Sequence, residues 1–271
     1  MIDRRTAQQI RDLERLLARL APVTIAVSGG VDSMTLAIAA GRTLGPQAVM
    51  FHALSPAVPP AATARVKETA RAERWNLHLV NAGEFRDEDY LKNPYRRCFH
   101  CKKNLYATLA VDHPGTILSG TNLDDMDDFR PGLRAAEQFA VRHPFVECGI
   151  DKAGIRRICR ALRYGELADL PASPCLSSRV ETGLRIEPRV LDFIDRVESG
   201  LRDFLRPEAV RCRVRRDEIA VQLDAGSLTA LSSLGKEDWA ERIGALAQPL
   251  GLPVNVRFEP YRMGSAFVRN A

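Results

Sequence analysis

The chain has 271 residues, of which 45% are hydrophobic and 27% charged, a balance that excludes a disordered chain, a collagen-like chain and a coiled coil. Lysine plus arginine total 39 against 34 for aspartate plus glutamate, and the resulting net charge of +5 permits a nucleic acid or phosphorylated partner without requiring one. Six cysteines are too few for a disulfide scaffold, and no run reaches the ~18 apolar residues of a membrane span. We therefore expect a cytoplasmic protein with no membrane partner.

The earlier part of the chain alternates between helix-like and strand-like segments. Leucines at helical spacing predict a helix over Leu13 to Leu20, which Pro22 ends. The apolar runs that predict buried strands are Val23 to Val27, Ala48 to Ala53, Leu77 to Val80 and Thr116 to Leu118. Further helices are predicted between them over Met34 to Ala40 and Ala61 to Trp75. This alternation indicates an α/β fold with a parallel sheet sandwiched by helices in a Rossmann-like arrangement.

The pattern changes after residue 183, and we place a domain boundary there, with domains over 1–183 and 184–271. An apolar stripe predicts a helix over Pro188 to Phe204, and two alternating runs, Val210 to Val214 and Ile219 to Leu223, predict a hairpin. A helix over Ser227 to Leu246 and a strand over Val254 to Phe258 follow. The second domain is therefore expected to be a smaller α+β unit.

A glycine pair joins the first predicted strand to the next helix. Residues 28–33 read Ser-Gly-Gly-Val-Asp-Ser, and glycines there allow a tight turn and close approach of a ligand. The free N–H groups and the positive dipole of the following helix attract an anion. The loop lacks the Gly-Lys-Ser/Thr of a Walker A motif. The competing interpretation is an ordinary turn between a strand and a helix.

Three cysteines form a candidate metal site. Cys98 and Cys101 have the Cys-x-x-Cys spacing, and Cys175 is a third, distant cysteine. Three thiolates with one open position suit a [4Fe–4S] cluster, whereas the alternative is a surface or redox-active thiol pair. Arg179 could also lower the pKa of Cys175 and favour a nucleophilic thiolate. The remaining three cysteines are interpreted as packing residues, namely Cys148, Cys159 and Cys212.

The string at residues 28–33 is the signature of the PP-loop ATP pyrophosphatases, which bind ATP on a parallel α/β sheet and release pyrophosphate. The chain more narrowly resembles the LarE-type sulfur transferases of nickel-pincer cofactor synthesis. The segments that carry this resemblance are Gly120 to Asp125 with Phe129 to Gly132, then Pro171 to Arg179, and finally Tyr261 to Ser265. The Cys-x-x-Cys pair resembles the three-cysteine [4Fe–4S] subgroup.

The resemblance implies a function and a set of roles. Members adenylate a carboxylate of a pyridinium mononucleotide with ATP and Mg²⁺ and convert it to a thiocarboxylate, drawing on sulfide or another sulfur donor. Cys175, Arg179 and Asp32 are the implied catalytic residues, and Arg211 and Arg213 the implied ligands of the substrate phosphate. The implied nucleotide-binding residues are Ser28, Gly29, Gly30, Asp32, Ser33, Gly120, Asn122 and Asp125. The first domain would then bind ATP and adenylate the substrate carboxylate, and the second would bind the substrate phosphate and mediate assembly into a homo-oligomer.

Some of these assignments have open alternatives. From the residues alone, Arg211 and Arg213 also fit a solvated strand face, and the acidic run Asp124, Asp125, Asp127 and Asp128 fits either a Mg²⁺ site or a solvated loop. A tRNA thiolation enzyme is a second function, although no RNA-binding domain is recognisable. A nucleotide-binding redox sensor without turnover is a third. An amidotransferring synthetase would need an ammonia source, and no glutaminase domain is recognisable.

Overall fold

The computed structural model describes residues 2–112, 115–126, 131–172 and 174–262. The chain divides into two units, described separately below. The first contains Met1–Glu84 and Cys98–Ser173, and the second contains Phe85–Arg97 and Pro174–Ala271. The boundary that we expected after residue 183 lies inside the second unit.

The described helices are, in chain order, α1 (Arg4–Leu20), α2 (Val31–Leu44), α3 (Pro60–Glu73), α4 (Glu88–Leu91), α5 (Arg97–Asp112), α6 (Pro131–Gln138), α7 (Pro144–Glu147), α8 (Lys152–Ala161), α9 (Gly165–Ala168), α10 (Pro188–Leu205), α11 (Ala225–Leu234) and α12 (Lys236–Ala247). The described strands are β1 (Val23–Ala26), β2 (Ala48–Ala53), β3 (Asn76–Val80), β4 (Thr116–Leu118), β5 (Val210–Val214), β6 (Ile219–Leu223) and β7 (Val256–Pro260).

A four-stranded parallel sheet in the order β3-β2-β1-β4 forms the centre of the first unit. All four residues of β1 are buried, as expected of a central strand with helices on both faces. Leu13 and Leu17 of α1 pack with Met34 and Ile38 of α2 and with Ile158 of α8 in one apolar core. The predicted α/β architecture is confirmed, and β2 and β4 have the predicted limits.

A smaller three-stranded sheet in the order β5-β6-β7 forms the second unit. β5 and β6 are antiparallel, as the hairpin prediction requires, and β7 is parallel to β6. α10 packs against β5, and every residue of β5 and β6 is buried. The smaller α+β domain is therefore also confirmed.

One element differs from its prediction. We expected a single helix over Ser227 to Leu246, but the chain forms α11 and α12, which meet at Gly235. Gly235 has φ +113°, a conformation that residues with a Cβ rarely adopt and that does not continue a helix. The single-helix prediction was wrong because it treated this glycine as an interior helical residue.

The segment Phe85–Arg97 belongs to the second unit although it lies early in the chain. The Tyr90 hydroxyl lies 2.7 Å from the Ser177 hydroxyl, and the buried Asn93 amide donates to the carbonyl oxygens of Val180 and Glu181 at 3.2 and 2.9 Å. These bonds fasten the segment to the chain that follows Cys175. Among the described residues, no helix has both the length and the apolar character that crossing a membrane requires.

Candidate functional site

The loop at residues 28–33 joins the carboxyl end of β1 to the first turn of α2. Gly29 has φ +83°, and a Cβ there would lie 2.8 Å from the Ala62 carbonyl oxygen, so only glycine fits. The Ser33 hydroxyl accepts from the Ser28 backbone N–H at 3.0 Å and donates to the Gly30 carbonyl oxygen at 3.2 Å. Gly30 is the N-cap of α2 and provides no capping side chain, which leaves the helix N–H groups available to an anion.

A second predicted segment lies directly against this loop. A Cβ on Gly120 would lie 2.7 Å from the Ser33 backbone nitrogen and 2.8 Å from the Asp32 carbonyl carbon. The following residues cap a single 3₁₀ turn, in which the Asn122 backbone N–H donates to the Asp125 carboxylate at 3.1 Å. The Asn122 side chain is buried and accepts from a backbone N–H of the same turn. The structure therefore brings together the two segments predicted to bind nucleotide, and Asn122 and Asp125 both shape the second.

Two cations contact the loop, and neither was anticipated from the sequence. The Lys152 ammonium group donates to both carboxylate oxygens of Asp32, at 2.7 and 2.6 Å. Burial raises the pKa of the Asp32 carboxyl above its usual range, and the hydrogen bond from Lys152 opposes that shift. On the other side, the Arg65 guanidinium donates to the Gly29 carbonyl oxygen at 2.7 Å, and burial lowers the pKa of Arg65.

A buried histidine contacts the residue that precedes the loop. The His52 Nδ1 atom lies 2.8 Å from the Val27 carbonyl oxygen, which requires an Nδ1–H donor, and its Nε2 atom lies 2.9 Å from the Thr63 hydroxyl. Burial lowers the pKa of His52, so the imidazole is neutral at pH 7. His52 thereby links β2 both to the residue before the loop and to α3.

The first unit thus presents an anion site with a carboxylate beside it. A helix N-terminus, a glycine-rich turn and two nearby cations are the elements that hold polyphosphates in proteins. Asp32 provides the oxygen ligands that Mg²⁺ prefers, and Asp125 is close enough to influence its charge state. The residues present therefore fit a magnesium nucleotide.

The second unit contains a buried ion pair behind the predicted nucleophile. Both oxygens of the fully buried Glu198 accept from Arg179, at 2.9 and 3.1 Å. The Arg202 guanidinium and the Cys212 backbone N–H donate to the same carboxylate at 2.7 and 3.0 Å. Arg179 also donates to the carbonyl oxygens of Pro174 and Cys175 at 2.7 and 3.2 Å. We predicted that Arg179 acts on the Cys175 thiol, whereas the contacts observed here are with the backbone of that segment and with Glu198.

The two predicted phosphate-binding arginines lie side by side on β5, with more than nine-tenths of each residue buried. The Arg213 guanidinium donates to the Gln222 side chain at 2.7 Å and to the Ser178 carbonyl oxygen at 3.1 Å. The Arg211 guanidinium lies over the Tyr261 ring, 5.5 Å from its centre. The alternative of a solvated strand face is therefore wrong, since both arginines are buried and contact other residues of the second unit.

Burial and mutual repulsion change the acidity of these groups. Burial, with Arg179 and Arg211 nearby, lowers the pKa of Arg213 to about 10. The pKa of Arg211 is also lowered, first by burial and then by Arg179, while Glu198 opposes the shift. Arg179, Arg211 and Arg213 therefore lie close enough to influence one another, and such a cluster of guanidinium groups attracts a phosphate or carboxylate ligand.

The predicted metal ligands belong to different units. Cys98 and Cys101 lie one turn apart on α5 in the first unit, and both are half-buried. Cys175 is exposed in the second unit, directly before the 3₁₀ turn Leu176–Arg179. Ligation of one cluster by all three cysteines stays a prediction.

The other cysteines have environments of two kinds. Cys159 and Cys212 are buried, in agreement with a packing role, while Cys148 is half-buried. Burial raises the pKa of Cys148 to about 11, and it raises the pKa of Cys212 well above the usual value. These thiols are therefore poor nucleophiles at neutral pH.

Parts of three predicted segments lie outside the described residues. They are residues 127–130, which include Asp127 and Asp128 of the acidic run, then Ser173, and residues 263–265 of the last segment. Within the described residues, sequence reasoning also missed functional contacts of Lys152, Arg65 and Glu198. Their contacts span 120, 36 and 19 residues, and no local pattern predicts such pairings.

Comparison with known proteins identifies relatives whose names state no activity. No protein-family model matches the chain. It is 34% identical over 220 residues to the uncharacterized protein slr1717 of Synechocystis sp., an alignment that covers 79% of this chain and 81% of that protein. It is 27% identical over 215 residues to the uncharacterized protein MJ0830 of Methanocaldococcus jannaschii, covering 74% and 77%.

Proposed function

The chain belongs to the same family as slr1717 of Synechocystis sp., and we propose that it is an ATP-dependent sulfur transferase that adenylates a carboxylate of a pyridinium mononucleotide and converts it to a thiocarboxylate. The observation that carries the proposal is the loop at residues 28–33, where glycine, an uncapped helix N-terminus and the Lys152–Asp32 pair meet. Each further step uses residues described above.

In the first step, a substrate carboxylate oxygen attacks the α-phosphorus of ATP, and pyrophosphate leaves. The N–H groups at the start of α2 and the Ser28 and Ser33 hydroxyls support this step because they would donate to the phosphates of the leaving group, the Ser33 hydroxyl turning away from the Gly30 carbonyl oxygen to do so. Asp32 would hold Mg²⁺, which neutralises charge on the phosphates when bound. The acyl-adenylate that results has AMP as a good leaving group.

The substrate phosphate is proposed to bind in the second unit. Arg211 and Arg213 are buried and adjacent, and Glu198 only partly offsets the positive charge of the cluster. A mononucleotide carries one phosphate, which is the group that two parallel guanidinium groups recognise well. This supports a substrate that carries an anionic group such as a phosphate in addition to the reacting carboxylate.

Cys175 is proposed as the sulfur-bearing residue because its thiol is exposed while Arg179 holds its backbone. Its thiolate would displace AMP from the acyl-adenylate to give a thioester. Loss of the Cys175 Cα proton with cleavage of the Cβ–S bond would then release the thiocarboxylate and leave dehydroalanine.

Cluster ligation offers a route that spares Cys175. Three cysteine thiolates with one open position are a donor set that fits a [4Fe–4S] cluster, which supplies an exchangeable sulfur atom when bound. Cys98, Cys101 and Cys175 would be its ligands. On the resemblance alone, we further propose a cytoplasmic homo-oligomer that takes sulfur from sulfide or another donor.

The test combines metal analysis with turnover. After anaerobic purification, iron, acid-labile sulfide and zinc are counted, and pyrophosphate release is measured with ATP and a carboxylated pyridinium mononucleotide. We expect release that depends on the carboxylate, and a thiocarboxylate product by mass spectrometry. Cys175→Ala should abolish sulfur transfer and spare ATP binding, whereas the control Cys148→Ala should retain both. Full transfer by Cys175→Ala, or no carboxylate-dependent pyrophosphate, would contradict the proposal.

A further inference from the structure

Lys152 is the first residue of α8 and is anchored through its backbone. Its N–H donates to an Asp124 carboxylate oxygen at 3.1 Å, in the 3₁₀ turn Leu123–Asp125. The preceding residue, Asp151, caps α8 by accepting from the Gly154 N–H at 2.6 Å. The start of this side chain is therefore fixed beside one of the two segments that form the candidate nucleotide site.

The far end of the side chain is held by a half-buried contact that keeps access to solvent. The ammonium group binds both oxygens of Asp32, and about a third of the Lys152 side chain and a quarter of the Asp32 side chain face solvent, at 32% and 26%. Because both side chains are open to solvent on one side, an anion that enters the site can reach the ammonium group. A lysine ammonium on its four-carbon stem can follow a stronger anion over several ångströms.

The loop itself has no cation to match the charge of a polyphosphate. Residues 28–33 contain neither lysine nor arginine, whereas a Walker A loop carries a lysine that reaches the β- and γ-phosphates. Arg65 contacts the loop, but its guanidinium donates to the Gly29 carbonyl oxygen, so it supports the loop backbone. Lys152 is the contacting cation that has both freedom to move and access to solvent.

We propose that Lys152 is the polyphosphate-binding cation of this site and that it exchanges between two anions. Without nucleotide its ammonium group stays on Asp32. With nucleotide it moves to the terminal phosphate oxygens, stays with pyrophosphate after adenylation, and frees the Asp32 carboxylate for the divalent cation that accompanies ATP. No covalent bond changes in this exchange, and the inference rests on the proposed ATP-binding function.

The experiment compares ATP, inorganic pyrophosphate and AMP as ligands in calorimetry. Lys152→Ala should weaken binding of ATP and pyrophosphate by about tenfold to a hundredfold, the loss expected for a hydrogen bond to a charged group, and should leave AMP within about twofold. Lys152→Arg keeps the charge and should recover most of the loss. The control is Lys92→Ala, which removes a similar lysine that pairs with Asp89 at 3.5 Å on the exposed surface of the second unit.

The outcomes separate this inference from the proposed function. If the wild type binds ATP and Lys152→Ala binds it equally well, the inference is wrong and the proposed function stands. If Lys152→Ala loses ATP and AMP affinity equally, the lysine only shapes the site, and the inference is also wrong. If the wild type binds neither ATP nor pyrophosphate, both fail. Thermal unfolding without ligand checks the fold, and Lys152→Gln replaces Lys152→Ala if the latter does not fold.

Discussion

Replacing Glu198 with glutamine should destabilise the second unit by about 3–5 kcal/mol, the usual cost of removing one partner of a buried ion pair. Glu198 is fully buried and accepts four hydrogen bonds, two of them from Arg179. Glutamine has nearly the same shape but carries no charge and has only one acceptor oxygen. The buried Arg179 would then lose its carboxylate partner, and the charge that opposes the lowered pKa of Arg211 would be gone.

Urea unfolding measured by tryptophan fluorescence suits this test. The chain has two tryptophans, Trp75 in the first unit and Trp239 in the second, so a Trp75→Phe background makes Trp239 the reporter of the second unit. A slope of about 2 kcal/mol per molar urea converts the expected loss into a midpoint lower by about 2 M. Asp192→Asn is the matched control on the same helix, because Asp192 is exposed and lies 3.9 Å from Arg196. It should cost less than about 1 kcal/mol.

Phosphate provides a second measurement on the same variants. Removing the Glu198 charge increases the positive charge of the arginine cluster, so inorganic phosphate should stabilise Glu198→Gln more than the wild type, because a ligand that binds only the folded state stabilises it by mass action. A midpoint within about 0.5 M urea of the wild type, or equal stabilisation by phosphate, would refute the reasoning.

Two further predictions concern the first unit. Gly120→Ala places a Cβ 2.7 Å from the Ser33 nitrogen and must displace the loop at residues 28–33, so on the proposed function ATP affinity should fall about tenfold or more. The control Gly165→Ala, which has open space around the new Cβ, should bind ATP as the wild type does. Unchanged ATP binding by Gly120→Ala would contradict this prediction, because it would show that the loop can move aside without loss of ATP affinity. In iron-free protein, iodoacetamide at pH 8 should modify the exposed Cys175 well before Cys148, whose pKa is about 11. Only the thiolate reacts, so the rate of Cys148 labelling should rise with pH up to about 11. Mass spectrometry measures the labelling of each cysteine, and fast labelling of Cys148 at pH 8 would contradict this prediction.

Local signals predicted the strands and the position of the glycine-rich loop at residues 28–33 well. β2, β4, β5 and β6 have the predicted limits because short runs of β-branched and apolar residues end at clear turn signals. The loop at residues 28–33 follows β1 as predicted because its glycines are required by the local backbone and by Ala62. These features depend on residues that are close together in the chain.

Features that depend on tertiary contacts could not be predicted in this way. Lys152 lies 120 residues from Asp32, and neither residue carries a local signal for the pairing. Arg211 and Arg213 are buried because residues distant in the chain pack on both faces of β5. From the alternating sequence alone, a solvated strand face is an equally good interpretation. The spacing of the apolar residues around Gly235 fits either a helix interior or a helix end. The φ of +113° at Gly235 shows that a helix ends there.

The early position of Phe85–Arg97 in the chain has a consequence for biosynthesis. Tyr90 and Asn93 leave the ribosome 87 residues ahead of Ser177 and Val180, their partners in the second unit. At ordinary translation rates of about 5–20 residues per second, that interval lasts about 4–17 s. During this time a tyrosine that is 2% exposed in the folded protein is left without its hydrogen-bonded neighbour in a nascent chain. The three-stranded sheet of the second unit is complete only after synthesis has passed β7, and a gene fragment that begins at residue 174 would encode this unit without the segment Phe85–Arg97.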